Sequence, residues 1–281
     1  MGNRIVVALL ALVVLASVAH AAPDPHLKAA LAQLKVQTAA IARDDDAAFV
    51  ATLTPDAMVS LGRPQPERGP TRIAWGFVAS AQKITIARTR TGWQGTWGWV
   101  AADLRVTTLM HAEAGGAGDP APTPTTDSFH WVSVVVADGA AVKTRAVFLS
   151  EAVPDDNLIG YDDQPALAKD AGQIASLLAR PKALAAQLAA SPDLAAFGSS
   201  EAERALGAPA VKKLVGSWKN LDLIQVGDTA EVIQGDLAFA FADVAMKLKR
   251  TPNRIVLHGF VIARKGASGW EVVAVSYSGN F

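Results

Sequence analysis

Two ten-residue stretches of the sequence align without a gap and decide the fold: GTWGWVAADL at residues 95–104 and GDLAFAFADV at residues 235–244. In both, every second residue from the third onward is apolar until the aspartate is reached, and such alternation has the period of a β-strand. Each stretch begins with glycine and reaches its aspartate at the ninth position. The match predicts an internal repeat, with one copy in each half of the chain.

The segments around these two strands follow the same order in both halves. Each half opens with two helices, continues with a strand and a third helix, and ends in an antiparallel meander of about four strands. The predicted helices span residues 27–41, 49–53 and 70–79 in the first half and residues 165–178, 183–188 and 209–218 in the second, and the aspartates at residues 44–46 are predicted to cap the second of them. The last hairpins pair residues 129–136 with 142–150 and residues 254–264 with 270–278.

Helices that precede a run of antiparallel strands indicate the α+β class. We predict one domain over residues 24–152 and a second over residues 165–281, joined by a polar, proline-flanked linker at residues 153–164. The first half has extra residues between its strand aspartate and the following histidine. They fall in residues 113–126, which are rich in glycine, proline and threonine and predict a mobile loop.

Three motifs resemble the nuclear transport factor 2-like superfamily, especially its SnoaL-like members. They are a Glu-Arg turn at residues 67–69, the strand GWVAAD at residues 98–103 and the terminal strand GWEVVAVSYS at residues 269–278. The resemblance implies a cone in each half, with a curved antiparallel sheet wrapped around the helices and a pocket between them. The superfamily includes cyclases, isomerases and dehydratases as well as non-catalytic binding domains, so the resemblance leaves both catalysis and binding open.

The N-terminal residues read as an export signal. A basic residue, Arg4, precedes an apolar run at residues 5–19 and a small-x-small site at residues 19–21. The run is too short for a membrane-spanning helix, so we expect a signal peptide at residues 1–21 and a protein that acts in the periplasm or outside the cell. The chain contains no cysteine, so its stability has to come from burial rather than from disulfides.

Each repeated strand carries an aspartate at its end, and a histidine opens the next strand. Asp103 with His130 and Asp243 with His258 are therefore candidate pairs for proton transfer across neighbouring strands. The resemblance supports this, because catalytic members of the superfamily use Asp and His side chains that project into the cone. A structural role at strand ends is the alternative reading of both pairs.

Aromatic residues on the same strands are candidates for a ligand pocket: Trp97, Trp99, Trp131, Phe239 and Phe241. Most tryptophans lie in the first half, which favours that half as the binding half. Core packing is the alternative for all five. The Glu67-Arg68 and Glu203-Arg204 pairs predict turn-stabilising ion pairs, with anion binding as the other possibility.

The opposite face of the second repeated strand is apolar as well, with alanines at positions 238, 240 and 242 and Val244. A strand that is apolar on both faces needs two partners. In the resembling superfamily one sheet face covers the helices and the other often packs on a second copy. We therefore predict that the two halves form an intramolecular pseudo-dimer.

The composition narrows the range of partners. Acidic and basic residues balance at 26 each, which gives no basic surface for nucleic acid or an anionic membrane. Histidine spacing predicts no metal site, and no nucleotide or cofactor motif occurs. Two functions remain: an exported, non-catalytic protein that binds a small apolar ligand or a partner protein, and a cofactor-independent SnoaL-like lyase, isomerase or hydrolase with an Asp/His pair in the cone pocket.

Overall fold

The computed structural model describes residues 24–61, 66–72, 81–110, 123–152, 172–247 and 254–279. The first half contains α1 (Pro25–Ile41), α2 (Asp46–Val50), β1 (Leu53–Leu61), β2 (Glu67–Arg68), β3 (Ala81–Gln94), β4 (Trp97–Met110), β5 (Thr123–Asp138) and β6 (Ala141–Ala152). The second half contains α3 (Ala175–Leu178), α4 (Pro181–Ala186), β7 (Ala195–Phe197), β8 (Arg204–Leu206), α5 (Ala208–Trp218), β9 (Leu223–Gln234), β10 (Leu237–Lys247), β11 (Arg254–Gly266) and β12 (Gly269–Gly279).

The two halves carry six-stranded sheets with the same strand order. The order is β2-β1-β6-β5-β4-β3 in the first sheet and β8-β7-β12-β11-β10-β9 in the second. The predicted four-stranded meanders, β3 to β6 and β9 to β12, are antiparallel. The expectation of wholly antiparallel sheets was wrong, because β1 runs parallel to β6 and β7 runs parallel to β12. Two parallel strands need a long connection between them. The residues between β1 and β6, and those between β7 and β12, supply it.

Several predicted boundaries change in the structure. Asp45 accepts a hydrogen bond from the amide of Ala48 at 3.0 Å and caps α2, as the aspartates at residues 44–46 predict, but the helix ends at Val50, before β1, and not at Leu53. Helix α4 starts earlier than predicted, with Pro181 in its first turn, where proline is favoured. The long helix α1 and the helix α5 agree with the prediction.

The predicted loop at residues 113–126 was wrong at its end, since residues 123–126 belong to β5 and pair with β4. The threonines of this segment are β-branched and favour a strand, whereas the glycine- and proline-rich sequence before them favoured a loop. The remainder of that loop, the signal peptide and the linker lie outside the described residues, as do most of the helix predicted for residues 70–79 and most of the one predicted for residues 165–178.

The glycines that open the repeated stretches belong to two-residue turns. Gly95 and Gly235 have φ angles of +56° and +61°, which glycine adopts without the steric cost that a side chain adds. Each turn reverses the chain into the strand that follows. The repeated motif therefore encodes the second strand of a hairpin, β3–β4 in the first half and β9–β10 in the second.

The faces of β4 separate two buried clusters. One face, which includes Val100, Ala102 and Leu104, packs with α1 in the core of the first half. The other face, with Trp97, Trp99 and Ala101, belongs to a cluster made mainly of residues from the second half. As the sequence predicts, β10 is buried on both faces as well.

Side-chain contacts join the two halves directly. The ring of Phe148 lies 6.3 Å from that of Phe241 and 5.8 Å from that of Phe260, between ring centroids. At the hairpin end, Asp236 accepts hydrogen bonds from Trp97 Nε1 and Gln94 Nε2, both at 2.9 Å. The two sheets therefore meet through an aromatic layer with polar contacts at its margin.

Candidate functional site

The structure places each candidate aspartate directly opposite its histidine. Asp103 on β4 faces His130 on β5, and Asp243 on β10 faces His258 on β11. A serine on the next strand extends each row, with Ser150 opposite His130 and Ser278 opposite His258. The halves thus carry the same Asp-His-Ser order across three strands, and we call these sets the first row and the second row.

In the first row, two arginines hold the aspartate. Asp103 Oδ2 accepts hydrogen bonds from Arg88 Nε at 3.1 Å and Nη2 at 3.0 Å, and Oδ1 accepts one from Arg204 Nη1 at 3.4 Å. Asp103 is 3% exposed, so this carboxylate is shielded and compensated by both cations. Arg204 comes from the second half, and the first row is therefore part of the contact between the halves.

His130 has a different environment from its aspartate neighbour. It is fully buried, and its ring stacks on Phe197 of the second half with centroids 4.4 Å apart and an interplanar angle of 17°. Neither ring nitrogen has a partner in hydrogen-bond geometry among the described residues. Burial lowers the pKa of His130 to about 4, and the nearby charge of Asp103 offsets this only in part. The imidazole is therefore neutral at physiological pH.

In the second row the aspartate and the histidine bind each other. His258 Nδ1 lies 2.6 Å from Asp243 Oδ1, and their side chains are 8% and 13% exposed. The carboxylate fixes the orientation of the imidazole, an arrangement that can support proton transfer. Only this row has the direct Asp–His contact that the sequence predicts.

Both rows lie on the faces between the sheets and not inside the cones. His130 touches Phe197 of the other half, and Phe260, two residues after His258, stacks on Phe148. Strand neighbours point to opposite faces, and Gly259 accordingly faces Leu178 of α3. The expectation of an Asp/His pair in the cone pocket was therefore wrong about its position, because periodicity does not say which face meets the helices.

The aromatic candidates are buried by protein and are at most 4% exposed. Trp97, Trp99, Phe239 and Phe241 belong to the cluster between the sheets. Trp131 points the other way, into the core of the first half, where it meets Phe49 edge to face at 6.4 Å. The structure thus gives all five the core-packing role that the sequence left as the alternative.

An open cavity of about 410 Å³ lies in the second half, between α5 and the sheet. This volume is in the range of small-molecule sites. Its apolar wall comes from the end of α5 and from the strands, and its polar edge comes from the loop before β8 and from Ser217. The lining residues are Gly198, Ser199, Ser200, Ala202, Glu203, Ser217, Trp218, Leu221, Leu223, Met246, Leu257 and Tyr277.

Three side chains order the polar end of this cavity. Trp218 Nε1 donates a hydrogen bond to Glu203 Oε1 at 2.7 Å, and the rings of Trp218 and Tyr277 are perpendicular with centroids 5.4 Å apart. Tyr277 donates its hydroxyl hydrogen to the carbonyl of Leu178 at 2.7 Å. Burial raises the pKa of Tyr277, so the phenol stays neutral. Among the described residues that line the cavity, Glu203 is the only charged one.

This cavity was not predicted from the sequence, and one of its residues, Glu203, has a different partner from the one predicted. Glu203 does not pair with Arg204; it binds Trp218, while Arg204 reaches Asp103 in the first half. Successive strand residues point to opposite sides, which separates the two charges. That alternation was the available signal. No feature of the sequence marked Tyr277, near the end of β12, as a cavity residue.

The described residues contain no cluster of three or more side chains suited to a metal ion. None of the helices in the described ranges combines the length and apolar character required to cross a bilayer.

Comparison with known proteins gives structural likenesses only, since no protein-family model and no curated protein matches the sequence. A putative dehydratase of the nuclear transport factor 2-like family from Streptomyces avermitilis is 12% identical; the alignment covers 47% of this chain and 99% of that one, with a TM-score of 0.37. A putative scytalone dehydratase from Novosphingobium aromaticivorans is 11% identical, over 45% of this chain and 83% of that one, with a TM-score of 0.35. A ketosteroid isomerase-like protein from Erwinia carotovora atroseptica is 18% identical, over 46% and 97%, with a TM-score of 0.33.

Proposed function

We propose that the protein is an exported, non-catalytic binding protein whose second half takes a small, largely apolar ligand in the cavity beside α5. The observation that carries the proposal is the cavity itself, which joins an apolar wall to one carboxylate, Glu203, and a serine edge. Such a combination of broad apolar contact with a few placed polar groups is typical of small-molecule sites. The ligand is an apolar molecule with a hydroxyl or amine that donates to Glu203.

We further propose that the protein consists of two nuclear transport factor 2-like cones, one in each half, joined as an intramolecular pseudo-dimer. The shared strand order and the aromatic layer between the sheets support it. The contacts of Asp103 with Arg204 and of His130 with Phe197 give the first row a structural role at this junction. Small-angle scattering of the purified protein should show one compact particle, and two separated lobes would contradict the pseudo-dimer.

The enzymatic alternative has one observation in its favour, the 2.6 Å contact between His258 and Asp243. The 410 Å³ cavity does not include either residue. A proton-transfer pair acts on a substrate within hydrogen-bond reach. We therefore prefer binding to catalysis as the function of this cavity.

A fluorescent probe tests the binding proposal. N-phenyl-1-naphthylamine is neutral and apolar, carries one amine hydrogen and fluoresces when it leaves water. We expect saturable binding to the purified protein. Ser217→Trp places a large ring at the exposed mouth of the cavity and should weaken probe binding by about tenfold or more, which corresponds to about 1.4 kcal/mol.

Lys213→Trp is the matched control, because Lys213 is exposed on the same helix and does not line the cavity. This variant should bind the probe as the unmodified protein does. Equal binding by the Ser217→Trp variant, or no saturable binding by the unmodified protein, would contradict the proposal.

Export is tested separately. In a Gram-negative host the chain should appear in the periplasmic fraction or the medium, and N-terminal sequencing should begin at Ala22 or Pro23. Retention of Met1 on a cytoplasmic product would contradict export.

A further inference from the structure

A second cavity, of about 370 Å³, lies where the first strand of the β3–β4 hairpin meets both α1 and the second half. Its lining is mostly polar. It includes Asp24 and Leu27 at the start of α1, the end of β3 from Thr89 to Trp93, and Asp193 from the second half. Trp93 forms a rigid wall, because its ring stacks on His26 with centroids 4.7 Å apart and its Nε1 donates to the carbonyl of Gly95 at 2.9 Å.

Arg90 brings a guanidinium to this cavity without a protein acceptor. Its Nε is buried and has no hydrogen-bond partner, and no ion pair to Arg90 occurs among the residues that the structure describes. A Cβ at Gly207 would lie 3.2 Å from Arg90 Nη2, so glycine at this position leaves room for the guanidinium. Buried N–H donors in folded proteins nearly always have an acceptor, and an arginine offers a planar fork that suits a carboxylate.

The cavity contains two carboxylates, and one of them, that of Asp193, also has no partner among the described residues. Asp24 is engaged, since its Oδ1 accepts from the amide and from Nδ1 of His26, both at 2.9 Å. The carboxylate of Asp193 makes no hydrogen bond or ion pair within the described part of the chain, although its backbone carbonyl accepts from Trp99 Nε1 at 3.1 Å. Arg90 and Asp193 line the same space but form no ion pair with each other.

This arrangement selects the charge pattern of a ligand. Two carboxylates in the lining disfavour a simple anion, and the guanidinium disfavours a simple cation. A molecule with one carboxylate and one ammonium group satisfies both unpaired residues at once. We propose that the cavity is a binding site for a small zwitterion of the α-amino acid class, with its carboxylate on Arg90 and its ammonium group on Asp193.

Calorimetric titration of the purified protein with L-alanine tests the proposal. Propionate lacks the ammonium group and ethylamine lacks the carboxylate, and both serve as matched probes. L-alanine should bind at least about tenfold more tightly than either fragment, because each fragment leaves one of the two charged side chains in the cavity without a partner. Equal affinity of propionate and L-alanine, or no binding of L-alanine, would overturn the proposal.

Variants locate the site. Arg90→Gln and Asp193→Asn should each weaken L-alanine binding by about tenfold or more, and Lys83→Gln, an exposed change on the same strand, should leave it unchanged. Arg90→Lys keeps the charge without the fork and should give intermediate affinity, which keeps the test valid if Arg90→Gln does not fold. Unchanged affinity in the Asp193→Asn and Arg90→Lys variants would overturn the assignment. L-alanine should not displace N-phenyl-1-naphthylamine, so this site and the proposed apolar site can fail independently.

Discussion

The first and second rows share a strand register but not a chemistry. In the first, Asp103 is held by Arg88 and Arg204, and His130 stacks on Phe197, with neither ring nitrogen in hydrogen-bond geometry to a described residue. In the second, the aspartate and the histidine bind each other at 2.6 Å. Sheet register fixes which residues are neighbours, but the elements that cover a row decide which neighbours interact. Repetition of a possible catalytic pair is therefore weak evidence for catalysis.

Removing the ring that covers the first row should produce the largest effect. Phe197 is fully buried, so Phe197→Ala leaves a cavity beside His130 and should lower the free energy of unfolding by about 3–5 kcal/mol. Urea denaturation measures the change. A loss below about 1 kcal/mol would show that the junction is loosely packed there.

The next largest effect should come from lowering the pH, which destabilises the first row through His130. Because the pKa of His130 is lower in the folded protein than in the unfolded chain, the unfolded state binds the proton more readily. The contribution of His130 is complete above about pH 6.5 and declines by about 3 kcal/mol as the pH falls to about 4. The variant His130→Phe keeps an aromatic ring against Phe197 and removes this titration. Denaturation at several pH values should show the excess loss only in the unmodified protein, and parallel pH profiles would contradict it.

Replacing either aspartate by asparagine should lower the free energy of unfolding by a smaller amount, and the loss should differ between the two rows. Asp103→Asn leaves Arg88 and Arg204 without their buried carboxylate and should cost about 3 kcal/mol. Asp243→Asn retains a hydrogen-bonding amide beside His258 and should cost about 1 kcal/mol. Chemical denaturation of both variants measures the difference, and equal losses would mean that the arginines contribute little.

The sequence carries enough information for the hairpins and for the pairing of the rows. Gly95 and Gly235 mark the turns, and strand alternation then places Asp103 and Asp243 opposite their histidines. This succeeds because hairpin register depends on local turn geometry and a period of two.

The orientation of the sheet faces could not be predicted in the same way. Both faces of β4 and β10 are apolar, so alternation separates Trp99 from Val100 without saying which side meets a helix. The parallel pairing of β1 with β6 and of β7 with β12 depends on contacts between distant segments. The partners of Glu203 and Arg204 depend on the same packing, which explains why the apolar cavity was not foreseen.

The central claim is that an apolar ligand binds beside α5 and not at the Asp–His rows. Methyl NMR spectra recorded during titration with N-phenyl-1-naphthylamine test it most directly. We predict that the methyl signals of Met246 and Leu257, which line the cavity, shift with the probe while those of Val132 and Val134, on the face between the sheets, stay in place. Shifts confined to Val132 and Val134 would contradict the account.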